Sequence, residues 1–353
     1  MKRRDSDYSR SGRRGGACVI SLIVIAALTT AAQTAGAEVG SGEVTLQPRQ
    51  PYGLAAATNG AIYVADVARD QVLKRDPSGR FSVFAGNGHE GFAGDGGAAV
   101  DAELRLTPVS GLAPAPDGGL YVSDSGNGRV RLVDSKGVIR TVAGGGGQQV
   151  GTGAVKGVDA QLRRVAGLAT GSGGVLYIAA GNVFALTRAG MLSWVVGKYP
   201  SPLRCGSVYC NPASQADFAS SQSVAVDSTA DLYVSSSYRA LYERTRGGRL
   251  LYITQFIGHV GQPGLIASQG GVVLGASRLG VTRLVGRSSS LLINMSRLSN
   301  ALGDHNGFIA GDGLAVTPSG GGIVDVNEGD GWTSKSAIIS VNVAGKATVV
   351  WQS

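Results

Sequence analysis

Three histidines, His89, His259 and His305, are the first residues to weigh for chemistry, because three imidazoles around an open coordination position suit zinc. His89 lies in FAGNGHEGFAGDGG, residues 84–97, where six glycines accompany Asn87, Glu90 and Asp95. Such a stretch has the backbone freedom of a ligand cradle. It fails the test for a phosphate loop, since no strand-to-helix context follows and no lysine stands at the phosphate-binding position. The phrase returns with one inserted residue as HNGFIAGDG, residues 305–313, so His89, Phe92 and Asp95 are echoed by His305, Phe308 and Asp312. The plainer reading is a repeated structural loop. Glycine permits positive φ there, Asp95 makes a local turn bond, and Phe92 and Phe308 tuck beneath.

Other candidate groups are sparse. Asp66 and Asp124 follow YVA and YVS, but the matching positions later are Ala180, Ser236, Ala276 and Asn327, which suits caps for the tight connection after the strand. Asp325, Glu328 and Asp330 in DVNEGD form one acidic loop, solvated or weakly calcium-binding. No Ser/His/Asp or Cys/His set has spacing that argues for nucleophilic catalysis. Tyr199, Tyr209, Tyr238 and Trp332 fall in crossings or turns and would suit a peptide or glycan surface.

The N-terminus sets the compartment. Six Lys/Arg precede residue 17, ACVISLIVIAALTTAA follows, and small residues at Ala35 and Ala37 precede Glu38. Residues 1–37 therefore read as a secretory signal, with an uncleaved membrane anchor as the alternative. Removing them leaves 26 Lys/Arg against 22 Asp/Glu, so the formal charge falls from +8 to +4. That balance gives no case for nucleic acid. Of the three cysteines, Cys18 lies in the leader, and Cys205 and Cys210 in RCGSVYCN are expected to pair as a disulfide in an exported protein. The expected location is secreted or in the cell envelope.

What must position these residues emerges from self-similarity. GLAAATNGAIYVADVARDQVLKRDPSGRFSVFAG, from Gly53, aligns without a gap with GLAPAPDGGLYVSDSGNGRVRLVDSKGVIRTVAG, from Gly111. Worn copies begin at Gly167, Ser223, Gly264 and Gly313, giving spacings of 58, 56, 56, 41 and 49. Each unit divides into four short runs split by turn residues, as in GLAPA, LYVSD, RVRLVD and IRTVAG. Six units of four antiparallel strands predict an all-β chain, a six-bladed β-propeller over residues 38–353. Tyr63, Tyr121, Tyr177 and Tyr233 recur on the second strand and read as inter-blade packing, with Val273 and Val324 assigned to that slot later. EVTLQ, residues 43–47, is expected to latch the ring by adding a strand to the last blade.

Units one and two resemble the NHL-repeat family, in particular its bacterial extracellular type. Tyr63, Ala65, Asp66, residues 83–86, Tyr121, Asp124, Asn127, residues 129–132, Asp134 and residues 141–144 carry the likeness. The resemblance implies a propeller whose inter-blade crossings, at about residues 88–104, 144–162, 198–218 and 303–313, share one face of the disc. An apolar plug recurs in them at Leu104, Leu162 and Phe218. The expected function is a binding or scaffold module for an extracytoplasmic protein, peptide or glycan. Its contacts would come from His89, Phe92, Asp95, Tyr199, Tyr209, His259, His305 and Asp312. No cofactor is expected, and the membrane is a partner only if the leader stays attached. The alternative is a propeller enzyme with its site at the axial face, either a zinc lyase like the peptidylglycine amide-forming lyases, with His89, His259 and His305 as metal ligands, or a metal-dependent hydrolase of the lactonase kind, which would need several carboxylates and an asparagine converging on the axis.

Overall fold

The computed structural model describes residues 46–197, 209–210, 221–236, 240–255, 265–269, 271–277, 280–285, 288–302, 309–327 and 336–352. These form six antiparallel sheets, each with four main strands in sequence order and two of them with a short fifth strand at the outer edge. Blade I is β1 (Pro51–Ala56), β2 (Ile62–Asp66), β3 (Gln71–Arg75) and β4 (Phe81–Ala85), and blade II is β5 (Leu112–Pro114), β6 (Leu120–Asp124), β7 (Arg129–Val133) and β8 (Ile139–Gly144). Blade III takes a short β9 (Val155–Lys156), then β10 (Leu168–Thr170), β11 (Leu176–Ala180), β12 (Asn182–Leu186) and β13 (Met191–Val196). Blade IV takes β14 (Tyr209–Cys210), then β15 (Ser221–Val226), β16 (Leu232–Ser236), β17 (Ala240–Arg244) and β18 (Leu250–Gln255). Blade V is β19 (Leu265–Gln269), β20 (Val272–Ser277), β21 (Gly280–Val285) and β22 (Ser288–Asn294), followed by a short helix α1 (Met295–Ala301). Blade VI is β23 (Ile309–Val316), β24 (Gly322–Asn327), β25 (Ser336–Val341) and β26 (Ala347–Gln352).

The inner strands β1, β5, β10, β15, β19 and β23 adjoin one another in that order, and β23 returns to β1. The protein is a closed six-bladed β-propeller. Six hydrophobic clusters fill the six inter-blade interfaces. A blade strand is thus buried on both faces, which is why β2 reads IYVAD rather than alternating with polar residues. Ile62 and Val64 face blade VI while Tyr63 and Ala65 face blade II.

That alternation corrects the tyrosine slot. Tyr63 pairs with Ala55, Tyr121 with Ala113, Tyr177 with Ala169 and Tyr233 with Ala225. The same register selects Leu274 (opposite Ala267) and Ile323 (opposite Ala315), not Val273 and Val324. A slip of one residue reverses the face, and Val273 indeed packs toward blade IV while Leu274 packs toward blade VI.

The anchor glycines are explained at the ring's inner wall. A Cβ on Gly53 would overlap the carbonyl oxygen of Ser110, and one on Gly313 would overlap that of Tyr52. Inner strands of adjacent blades approach too closely there for a side chain. Where serine stands instead, at Ser223, its hydroxyl donates to the Ile266 carbonyl at 2.7 Å and accepts from the Ile266 N–H at 2.9 Å.

Residues 43–45 of the expected latch lie outside the described residues. Blade VI is composed of β23 to β26, and Leu46 and Gln47, the described part of residues 43–47, belong to no strand. Leu46 instead packs on the cluster between blades VI and I, which includes Trp351. It holds there the place that Leu104 and Leu162 hold at the next two interfaces.

Candidate functional site

Two places were open to a site, the axis and the crossings. The axial channel encloses about 390 Å³ and is walled by all six inner strands. Its described lining contains no histidine, cysteine, carboxylate, lysine or arginine; the polar side chains are Ser110, Thr170, Ser223, Ser268 and Gln269. Most of these are spent on the wall. Thr170 Oγ1 donates to the Pro114 carbonyl, Ser268 Oγ accepts from Val226 N–H, and Ser223 bridges to Ile266. No general acid, base or ligand set converges on the axis among the described residues.

The first crossing is more elaborate than a turn. It leaves β4, pairs Ala98 with Val138 beside the outer strand β8 of blade II, and then crosses to β5. The next crossings repeat this path, β9 pairing with β13 and β14 with β18. On its way the first crossing closes over Arg131 of β7, whose side chain is fully buried. Asp95 Oδ1 accepts from Arg131 Nε at 3.0 Å and Nη2 at 2.8 Å, and Asp124 Oδ2 accepts from Nη1 at 3.3 Å. The carbonyls of Ala93 and Glu103 take further guanidinium N–H bonds. Asn127 ties the loop down, its amide donating to the Gly91 carbonyl at 2.7 Å and to Asp124 at 2.8 Å. A buried arginine with two carboxylates and two carbonyls is one of the few arrangements that satisfy a buried charge. Burial still dominates Asp124 and raises its pKa, against the lowering pull of Asn127, the Arg105 N–H and Arg131.

Phe92 is displaced outward by this arrangement. It is 43% exposed, and its ring stacks against two guanidiniums, that of Arg129 at 3.8 Å and that of Arg131 at 4.9 Å. The next unit shows what the same loop does without the arginine. The crossing into blade III has the same length from Gly144 to Ala160 as the first from Gly86 to Ala102, and Val150 stands where Phe92 does. Phe184 holds the place of Arg131, opposite Ile178 as Arg131 is opposite Val122. Gly153 and Ala180 replace Asp95 and Asp124. Val150 and Phe184 are both buried in one apolar cluster. One crossing is therefore pinned by apolar packing, the other by an ionic network that leaves an aromatic ring outside.

The expected site residues fare unevenly. Asp95 makes a long-range ion pair rather than a local turn bond, because Arg131 needs a counter-charge. Phe92 is not tucked under the loop but lies over Arg129. His89 is exposed, its N–H donating to Asn87 Oδ1 at 2.9 Å. Asp66 and Asp124 cap the chain entering their blade rather than the turn after it. Asp66 accepts from Arg49 and Gln50 N–H, and Asp124 from Arg105 N–H. Asp312 lies within β23, at an irregularity between Ala310 and Leu314, so its GDG is not placed as the GDG around Asp95 is. Asp325 is fully buried in mid-strand and is no solvated loop residue; Glu328 and Asp330 lie outside the described residues. Tyr209 and Cys210 belong to β14, while Tyr199, Tyr238, His259, His305, Trp332 and Cys205, the other half of the expected disulfide, lie outside the described residues. Leu104 and Leu162 are buried plugs. Among the described residues no group of three His, Cys, Asp or Glu is placed to hold a metal ion. Arg131 was missed, since RVRLVD alternates as an ordinary strand would; its signal was Phe184 in the matching position of the next unit.

No protein-family model matches the chain. A 77-residue stretch is 42% identical to human teneurin-1, covering 22% of this chain and 2% of that protein. Among solved structures, a gluconolactonase from Xanthomonas campestris superposes with a TM-score of 0.51 at 12% identity, covering 79% of this chain and 83% of that one. Virginiamycin B lyase from Staphylococcus aureus gives a TM-score of 0.48 at 10% identity, over 85% and 94% of the two chains. At 12% identity the likeness to the gluconolactonase speaks to the fold alone.

Proposed function

We propose that this chain is an exported propeller of NHL type that works as a rigid binding module, its contacts supplied by the inter-blade crossings. The observation that carries the reading is the contrast between Phe92 and Val150. The same loop buries a valine in one crossing and holds a phenylalanine 43% exposed on an arginine stack in the other. A ring kept outside at the expense of apolar burial, on a loop fixed by buried ion pairs, is a preorganised contact. The NHL assignment rests on the residues of units one and two, and export rests on residues 1–37.

The test is affinity capture from an envelope fraction with the mature protein. A ligand retained by the wild type and by Ser78→Ala, on the opposite end of blade I, but lost with Phe92→Ala is the expected result. Retention by all three proteins would count against the crossing, and capture of nothing would count against a binding module. The enzyme alternative has its own test: stoichiometric metal in the purified protein that His89→Ala removes.

A further inference from the structure

We infer that the first crossing is a recognition site for an acidic saccharide, with a sugar ring stacked on Phe92 and its carboxylate paired to Arg129; this rests on the binding reading and specifies its ligand. Three observations converge on it. The first is the platform. Phe92 is 43% exposed, and guanidiniums stacked at 3.8 and 4.9 Å from its ring centre fix its orientation. The C–H face of a sugar packs on such a surface with little loss of side-chain freedom.

The second observation is an arginine without a carboxylate partner. Arg131 is neutralised by Asp95 and Asp124, Arg69 by Asp66 and Arg105 by Glu90. Arg129, half-buried, has no carboxylate partner among the described residues and donates Nη1 to the Asn127 carbonyl at 2.8 Å. Its Nε and Nη2 edge runs beside Gly145, where a Cβ would stand 2.5–2.8 Å away. Glycine at that position lets the guanidinium lie there, and a carboxylate is the group a planar guanidinium pairs with best.

The third is the surround. Phe92 is flanked in the chain by exposed Gly88, His89, Glu90, Ala93 and Gly94, all small or polar. A protein partner's anchor is normally ringed by a wider apolar patch. Hydroxyl groups, by contrast, are matched by an imidazole, a carboxylate and exposed backbone amides.

Titration calorimetry of the mature protein with galacturonate oligomers, and with neutral maltose oligomers of equal length, tests the assignment. The acidic oligomer should bind, weaken with added salt, and lose about tenfold or more in affinity with Phe92→Ala or Arg129→Gln, residues whose contacts face the ligand. Thermal unfolding of both variants checks that the propeller is intact, and Phe92→Val, the residue found at the matching position 150, serves as a second, fold-compatible variant. No binding of the acidic oligomer, equal binding of the neutral one, or affinity unchanged by all three substitutions overturns the saccharide assignment. A captured peptide or protein ligand that depends on Phe92 would likewise overturn it, while leaving the binding-module reading in place.

Discussion

Arg131 sits where the next blade has Phe184, and the exchange involves its partners too: Asp95 and Asp124 become glycine and alanine. A charge in the interior is tolerated only as part of a satisfied set, so removing one member should cost far more than removing the set. Asp124→Ala is expected to destabilise by about 3–5 kcal/mol, leaving Arg131 dependent on Asp95 alone. Arg131→Phe combined with Asp124→Ala, the pairing seen in blade III, should recover most of that loss. Denaturant unfolding of the two variants measures it, and a double variant no more stable than the single one would contradict the reading. The cost also depends on pH in a definite direction. Burial raises the Asp124 pKa in the folded state. As pH rises above the ordinary carboxylate value, the unfolded chain releases this proton first, so wild-type stability from Asp124 is full below that value and declines through the folded pKa. The disadvantage of Asp124→Ala should therefore be largest in acid and shrink toward neutrality.

At the scale of elements, the blades were legible because a propeller strand buries both faces, so LYV and IYV runs recur at fixed distances from the anchor glycines. What could not be read was any feature carried by backbone. The edge pairing of Ala98 with Val138, and the matching β9 and β14, involve loop residues with no strand pattern of their own. Worn copies were also misaligned by one residue, as at Val273, because nothing in blade V but the ladder register distinguishes it from Leu274. The candidate site was legible in place but not in construction: the Gly-rich crossing stood out, whereas Arg131 beneath it did not. The anchor glycines supply the element-scale prediction. Gly53→Ala puts a methyl against the Ser110 carbonyl between blades I and II, where only backbone can give way. It should destabilise by about 1–3 kcal/mol or more, as overpacking does, while Gly118→Ala, in an open turn with nothing near its Cβ, suffers only the strain of its positive φ of 85°. Comparing their midpoints of thermal unfolding separates close packing from backbone conformation.

Across the whole molecule, closure is the property that remains to be accounted for. Among the described residues each blade takes its four main strands from one continuous stretch, and none draws a strand from both ends of the chain. The ring closes instead by side-chain packing between blades VI and I, with Ala315, Ile323, Ile338 and Trp351 against Leu54, Ile62, Val64 and Phe81. This interface resembles the other five, and in a stack of repeats each interface contributes to neighbours on both sides. Which interface is interrupted in the chain should then matter little, provided all six are present. Leu46 and Trp351 share one cluster, so a short flexible linker can join the two ends of the ring. A circular permutant so joined, with new termini in the β7–β8 turn between Lys136 and Gly137, is expected to fold with a single cooperative transition within a few degrees of the parent. Deleting residues 309–352 should do the opposite, since it strips both the V–VI and VI–I interfaces and exposes Leu54, Val64 and Leu274 to water. Calorimetry and light scattering of the two proteins decide the matter: a permutant that aggregates, or a truncated chain that stays monomeric and cooperative, would mean that chain connectivity rather than interface packing closes the ring.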